Sequence, residues 1–299
     1  MWLRLLLVLV CALPGVLRAE PAIGIVTIVD GELFATREGS RFALAEGVRI
    51  VNDDIIESAA QTRLARIEFG DGFIVDIGPG TQVLMTPKFP GERGGSRAAK
   101  LYVLKGWAKI TAPTAKSAES SSFASEPFDL SGIARDVVLK VEPGSWAVFA
   151  ESGELMLAER SKGKPAPAVK IKTGEFLSRS GDAKAVLAPR PSADFITRVP
   201  RAFVDTLPTR AALFATRDVA PKRLAPITYA DVQPWVDAEA ALRPLFVARW
   251  KTLAQTPDFR KGLVAGLRAH PEWDRTLFPE KYLPKPAASA ASSASASYR

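Results

Sequence analysis

The sequence contains a single cysteine, Cys11, and a single histidine, His270. Cys11 lies in the N-terminal leader predicted below, so the mature chain is expected to have no cysteine and no disulfide. Zinc and other soft-metal sites are not expected either, because they need several cysteine or histidine ligands. A Ser-His-Asp triad would have to use His270, which precedes a proline at the end of a predicted helix. We interpret His270 as a residue that interacts with the dipole of that helix.

The chain also lacks an apolar run of the roughly 20 residues that a membrane-spanning helix needs. Its N-terminal apolar run, Leu5–Leu13, follows Arg4 and precedes a helix-breaking Pro14-Gly15 pair. The small residue Ala19 ends this segment, and the whole pattern is typical of a secretory leader. We therefore expect a Gram-negative-type Sec signal over residues 1–19, cleavage after Ala19 and a periplasmic or secreted mature protein. An uncleaved anchor is the alternative.

Positive charge is in excess but is not clustered. The full chain has 40 lysines and arginines, 32 aspartates and glutamates, and a formal net charge of +8. Loss of the leader would remove Arg4 and Arg18 and lower the net charge to +6. Scattered charges without interleaved aromatics argue against nucleic-acid binding, and no glycine-rich phosphate loop is present. We interpret the charge as an ordinary solvated surface, with weak attraction to anionic lipid or cell-wall polymers as the alternative.

The clearest positive pattern is a predicted β-hairpin in residues 65–81. Apolar residues occupy every second position on both sides of Gly70-Asp71-Gly72, a turn in which glycine supplies the positive φ. Asp71 belongs to this turn, and Asp76 lies on the face opposite the apolar one. One hairpin cannot bury its apolar face alone, so neighbouring strands must cover it. The six apolar positions are Ala65, Ile67, Phe69, Phe73, Val75 and Ile77.

Short strand patterns separated by glycine turns continue through residues 23–181. This rhythm, without helical periodicity, predicts an all-β sandwich, roll or solenoid. Three loops interrupt it: a flexible glycine- and proline-rich loop at 87–95, a serine-rich loop at 115–125 and a basic loop at 161–167. We therefore predict a mainly β N-terminal domain, twisted and solenoid- or sandwich-like, over residues 22–188.

An ordered set of segments over residues 22–182 resembles the periplasmic domain of the ferric-citrate regulator (FecR) family. The hairpin, with Ile67-Glu-Phe-Gly-Asp-Gly72 and Ile77-Gly-Pro-Gly-Thr81, is the strongest part of this resemblance. The other segments follow in the family's order. They are Gly24-Ile-Val-Thr-Ile-Val-Asp-Gly31, Leu44-Ala-Glu-Gly-Val48, Asp54-Ile-Ile56, Leu104-Lys-Gly-Trp107, Trp146-Ala-Val-Phe-Ala-Glu-Ser-Gly153 and Thr173-Gly-Glu175.

The resemblance implies an all-β, twisted, solenoid-like domain that lies in the periplasm. In that family the domain relays binding by an outer-membrane receptor to a cytoplasmic sigma factor. This chain departs from the pattern in three ways: a leader replaces the cytoplasmic helical segment, no membrane span follows, and Ser131-Gly-Ile-Ala-Arg135 replaces an Arg-Gly-Thr-like segment. The resemblance therefore implies a stand-alone secreted member that keeps the fold without the sigma-regulating activity.

The last third of the chain has a different composition. Six prolines mark a connector at 189–226, within which a short helix is predicted at 209–216. A small α-helical C-terminal module is predicted at 227–284. The Ala/Ser tail at 285–299 is predicted to be disordered.

Three helix-start signals are visible in the predicted helical module. Thr228 is expected to cap a short helix that runs through Trp235. Pro244 either kinks a helix that spans 238–253 or marks its true first turn. Thr256 is expected to cap a helix that starts at Pro257.

Candidate chemistry is sparse. Asp53 and Asp54 are adjacent carboxylates, but calcium needs six or more oxygen ligands and no spaced set surrounds them, so we interpret them as turn residues. Glycosidase carboxylates can lie far apart in sequence, which leaves that class without support from any local motif. Five tryptophans could stack on sugars, although aromatics inside strand and helix patterns are typical of a core. They are Trp107, Trp146, Trp235, Trp250 and Trp273.

No catalytic, cofactor-binding or metal-binding residue is assigned, and no cofactor is expected. We predict a non-enzymatic periplasmic binding, scaffold or sensing module with an envelope protein as partner, for which exposed edge strands offer a natural surface. The alternative is a cell-wall carbohydrate-binding protein or hydrolase that uses surface aromatics and carboxylates. A third hypothesis is a periplasmic arm of a signalling relay that works through a separate membrane protein.

Overall fold

The computed structural model describes residues 20–89, 98–114, 121–161 and 164–283. It confirms a mainly β fold followed by short helices. The predicted leader, the tail at 285–299 and parts of the loops predicted at 87–95, 115–125 and 161–167 lie outside the described residues. The strands are β1 (Gly24–Asp30), β2 (Leu33–Arg37), β3 (Ser40–Leu44), β4 (Arg49–Ile50), β5 (Ile55–Ser58), β6 (Leu64–Phe69), β7 (Ile74–Ile77), β8 (Gln82–Met85), β9 (Leu101–Thr111), β10 (Ser122–Ala124), β11 (Phe128–Ser131), β12 (Asp136–Glu142), β13 (Ser145–Ser152), β14 (Leu155–Ser161), β15 (Lys164–Pro165), β16 (Val169–Ile171), β17 (Phe176–Ser180), β18 (Val186–Ala188) and β19 (Lys222–Pro226).

The strands form two curled layers that share β9. The first sheet has the order β4-β1-β6-β7-β9-β12-β13-β17-β18. The second has the order β19-β3-β2-β5-β8-β9-β10-β11-β14-β16, and β15 also pairs with β14. Neighbouring strands are antiparallel, apart from the parallel β9–β10 pair. Two of these strands were not predicted: β10 lies in the segment predicted as a loop at 115–125, and β15 lies in the one at 161–167.

Strand β9 shows how the layers are arranged. The sequence predicts two strands here, at 101–104 and 107–110, but the chain continues through Gly106 and passes from the second sheet to the first. Gly106 has φ 102°, and a Cβ there would lie 2.5 Å from the Thr81 Cα, so only glycine fits. Val103 belongs to the core shared by the two sheets, whereas Tyr102 and Trp107 belong to separate cores on the outer faces.

The hairpin predicted at 65–81 is confirmed as β6 and β7, and Ile67, Val75 and Ile77 lie in the shared core. Its polar face is buried as well. The Arg66 guanidinium donates from Nε and Nη2 to the two carboxylate oxygens of Asp76, at 2.6 and 2.8 Å. Both side chains are about 5% exposed or less. A strand pair that alternates polar and apolar residues is therefore covered on both faces.

The predicted connector supplies the cover for that polar face. Arg66 Nη1 donates to the Leu207 carbonyl at 3.1 Å. The Glu68 carboxylate accepts hydrogen bonds from the backbone N–H groups of Arg210 and Ala211, at 2.8 and 3.0 Å. Buried charged groups are tolerated when they are paired and hydrogen-bonded, and here connector main-chain groups provide several of the partners.

The rest of the connector is more ordered than its composition predicted. An unpredicted helix, α1 (Ala193–Arg198), is capped by Ser192 and inserts Phe195 against Trp107 and Phe176, with ring centroids 5.3 and 4.8 Å away. The helix expected at 209–216 is reduced to one 3-10 turn, Ala211–Phe214. A second 3-10 turn covers Arg201–Phe203, and β19 extends the second sheet.

The helical module packs on the outer face of the second sheet. The Trp235 ring lies 6.4 Å from that of Tyr102 on β9, and Phe246 lies 5.7 Å from Trp235 and stacks on Trp250 at 4.9 Å. None of the described helices is both long enough and apolar enough to cross a membrane. The helices are α2 (Tyr229–Val236), α3 (Arg243–Arg249), α4 (Pro257–Ala265) and α5 (Asp274–Leu277), with 3-10 turns at Leu253–Gln255, Pro271–Trp273 and Pro279–Tyr282.

The three helix-start predictions have different outcomes. Thr228 caps α2 in a reciprocal capping box with Asp231, as expected. Pro244 lies in the first turn of α3 and does not kink a longer helix. Thr256 does precede α4, but its hydroxyl donates to the Leu253 carbonyl, so the predicted side-chain cap is wrong.

The buried Arg66–Asp76 pair generates the first prediction. Asp76→Ala leaves a guanidinium buried without its carboxylate, so we expect a loss of about 3–5 kcal/mol in the free energy of unfolding. Asp30→Ala is the matched control, because Asp30 pairs with Arg63 at the surface, and it should change little. Urea unfolding measures both. A loss for Asp76→Ala no larger than that for Asp30→Ala would contradict the buried-pair assignment.

Docking of the helical module generates the second prediction. Trp235→Ala removes the ring that joins α2 to Tyr102, and we expect a loss of about 3–5 kcal/mol. Because the module and the sheet share this core, far-ultraviolet circular dichroism and tryptophan fluorescence should still report one coincident transition. Val264→Ala, at an exposed position of α4, is the control. Separate transitions for sheet and helices would show that the module is not docked.

Candidate binding cleft

A cavity of about 780 Å³ lies where the two-layer β structure, the connector and α3 meet. One wall comes from the β2–β3 turn and the β4–β5 turn, a second from residues 218–221, and a third from α3. This volume is in the range of about 300–1,000 Å³ that is usual for ligand pockets. Its apolar lining consists mainly of Val51, Leu84, Val219, Leu245 and Phe246.

Asp54 anchors the base of the cleft. Its carboxylate is 1% exposed and accepts two hydrogen bonds from the Arg37 guanidinium, at 2.7 and 2.9 Å, and one from the Val51 N–H at 3.0 Å. Burial raises the pKa of Asp54 above its ordinary value of 3.8, against the opposing effect of Arg37. The bond to Val51 and the positive φ of Asp53, 58°, agree with the turn interpretation of this pair. The ion pair with Arg37 was not predicted.

Two further guanidinium groups line the cleft. Arg249 on α3 donates to the Thr36 carbonyl at 2.6 Å and to the Asp53 carbonyl. Arg49 donates to the carbonyls of Phe214 and Ala215, at 3.2 and 3.3 Å. These bonds tie the helix and the connector to the sheet.

The two guanidinium groups differ from Arg37 in what they contact. Arg37 has the Asp54 carboxylate, whereas among the described residues neither Arg49 nor Arg249 forms an ion pair with a carboxylate. Burial lowers the pKa of Arg249, against the more distant charges of Asp53, Asp54 and Glu38. A desolvated charge that lines a cleft marks a candidate functional site.

Acidic side chains also line the cleft. Four exposed carboxylates belong to the lining, so with Asp54 it has five acidic side chains against three arginines, although the whole chain is basic. The four exposed residues are Glu20, Glu38, Asp53 and Asp218.

The sequence pointed to only part of this site. Asp53 and Asp54 were singled out as turn residues, but the three arginines and Asp218 were missed. Arg37, Arg49 and Arg249 share no motif and are up to 212 positions apart in the chain. Only the docking of α3 and the connector brings them together.

His270 lies elsewhere, in the helical module. It is buried and packs against Gly266, next to the C-terminal end of α4, and its Nδ1 lies 3.3 Å from an Asp237 carboxylate oxygen. The prediction that His270 lies near a helix end is therefore confirmed. The polar group beside its imidazole is the Asp237 side chain. No group of three or more metal-ligating side chains occurs within the described ranges.

The remaining singled-out residues are structural in this fold. Asp71 lies in the hairpin turn and pairs with Lys100 at 2.5 Å, while Asp76 is buried against Arg66. The five tryptophans of the described residues are all 7% exposed or less, which confirms the core interpretation. The surface aromatics that a carbohydrate platform needs are therefore not supplied by these tryptophans.

Comparison with known proteins adds a weak structural likeness. No protein-family model and no curated protein matches the sequence. Two crystal structures of a candidate anti-sigma factor from Parabacteroides distasonis, at 2.50 and 1.65 Å resolution, align at 14% sequence identity with TM-scores of 0.35 and 0.34. Each alignment covers 47% of this chain and 61% of that chain. The chain thus spans less than two thirds of the protein that it resembles.

Burial of Asp54 generates the third prediction. Because burial raises its pKa in the folded chain, folding favours the protonated carboxyl, and this contribution to stability is fully present below pH 3.8. It is lost as the pH rises through the raised folded-state pKa. Relative to Asp54→Asn, the wild type should therefore lose free energy of unfolding as the pH increases above 3.8. Urea unfolding of both proteins across this range measures the difference, and a difference that grows with pH would contradict the assigned direction.

Proposed function

We propose that this protein is a non-enzymatic binding and sensing module of the periplasm, of the FecR-like type, and that the cleft is its binding site. The observation that carries the proposal is the construction of the cleft. Its walls come from the sheet, the connector and α3, which are far apart in sequence, and they enclose about 780 Å³ lined by apolar and charged side chains.

The contacts of the three arginines and of Asp54 favour binding over catalysis. Arg37 and Asp54 form a paired fork, and Arg49 and Arg249 donate to backbone carbonyls. Such groups are fixed in orientation, which suits recognition of a ligand. A general acid or base must instead exchange a proton with substrate, and neither a guanidinium nor a carboxylate locked in a fork is suited to that step.

The same contacts provide a means of sensing. Arg249 links α3 to β2 and to the β4–β5 turn, while Arg49 links the connector to β4. A ligand that contacts these arginines would compete with the inter-element bonds and shift the helices relative to the sheet. An envelope protein that contacts the helical module would then detect the occupied state. This supports a periplasmic signalling arm that works through a separate partner.

The experiment compares capture of envelope components by three forms of the tagged mature protein. Ala220→Trp places a large ring in the cleft wall, and Ala212→Trp is the matched control at an exposed connector position outside the cleft. Periplasmic extract is crosslinked to each form and analysed by mass spectrometry.

We expect a specific ligand or partner with the wild type and with Ala212→Trp, and at least a tenfold reduction with Ala220→Trp. Equal capture by all three forms would overturn the assignment of the cleft. Turnover of a cell-wall polymer by the purified wild type would overturn the non-enzymatic proposal.

A further inference from the structure

The charges of the cleft point to the chemical class of its ligand. This step rests on the proposed function, because it takes the cleft as the binding site. We infer that the cleft binds a short zwitterionic peptide, with a free carboxylate directed to Arg49 and Arg249 and an ammonium group directed to the exposed carboxylates of Glu38 and Asp218.

The guanidinium groups of Arg49 and Arg249 can hold the carboxylate. Arg49 uses one nitrogen and Arg249 uses two for their bonds to backbone carbonyls, and a guanidinium has five N–H donors. The remaining donors can accommodate a ligand carboxylate in charge-assisted hydrogen bonds, which are about twice as strong as neutral ones. Such a ligand would supply the anionic partner that neither arginine has among the described residues.

Two exposed carboxylates of the lining can hold the ammonium group. Glu38 and Asp218 lie on different walls, and neither forms an ion pair or a side-chain hydrogen bond within the described residues. A purely anionic ligand would meet these carboxylates, whereas a purely cationic one would meet Arg49 and Arg249. A ligand that carries both charges at separate positions matches both groups.

The apolar lining and the volume favour a peptide with small aliphatic side chains. Val51, Val219 and Leu245 are partly exposed in the walls, and they offer contact surface without a hydrogen-bonding group. A cavity of about 780 Å³ is much larger than one free amino acid, so several residues fit between the two charged ends.

The test uses three synthetic peptides and isothermal titration calorimetry on the mature protein. N-acetyl-Lys-Ala-Leu with a free C-terminus carries both charges. Its C-terminal amide lacks the carboxylate, and the analogue with norleucine in place of lysine lacks the ammonium group. We expect the doubly charged peptide to bind at least about tenfold more tightly than either analogue, since each analogue loses one charge-assisted contact.

Two cleft variants assign these preferences to their residues. Arg49→Gln should reduce the preference for the free acid over the amide, because only Arg249 then remains, and should keep the preference for lysine over norleucine. The double variant Glu38→Gln/Asp218→Asn should abolish the preference for lysine and keep the preference for the free acid. Arg190→Gln and the double variant Asp182→Asn/Asp205→Asn, all at exposed positions outside the cleft lining, are the charge-matched controls and should keep both preferences.

The outcomes separate this inference from the proposed function. If the amide or the norleucine peptide binds as tightly as the doubly charged peptide, or if none of the three binds, the inferred ligand class is wrong. The proposed function is judged separately, by the loss of captured partner in Ala220→Trp, and it stands if that loss is observed. Binding of the peptides to Ala220→Trp as tightly as to the wild type would place the peptide site outside the cleft and overturn the inferred ligand class.

Discussion

The fold depends on one constraint: both sheets bury part of their outer faces as well as the faces that meet in the shared core. On the first sheet this burial includes charged groups, the Arg66–Asp76 pair and Glu68. Such groups can be buried only if they have hydrogen-bond partners. The connector supplies three of these partners, the Leu207 carbonyl and the backbone N–H groups of Arg210 and Ala211. The connector therefore has a defined path over the sheet, although its composition is that of a linker.

That path positions the cleft. After the contacts with Glu68 the chain continues past β4, where Val219 forms a parallel bridge with Val48 and Phe214 packs close to Gly47. It then adds β19 to the edge of the second sheet and enters the helical module. The wall at 218–221 and the wall at α3 are thus consequences of how the outer faces are covered.

Sequence reasoning predicted the elements better than their packing. Period-two alternation and glycine turns located the hairpin at 65–81, and Thr228 and Pro244 marked helix starts, because these signals are local. The burial of Arg66 and Asp76 was not predictable, since alternation alone places polar residues toward solvent. The cleft was missed for a related reason: Arg37, Arg49 and Arg249 have no shared spacing, and their proximity depends on tertiary docking.

The central claim is that three distant segments form one ligand-binding site. Hydrogen–deuterium exchange of the mature protein, with and without periplasmic extract, tests it most directly. The account predicts that a bound ligand slows exchange in residues 36–54, 218–221 and 245–249 together, at one common ligand concentration. Protection confined to one of these segments, or located instead at a sheet edge such as β18, would contradict it.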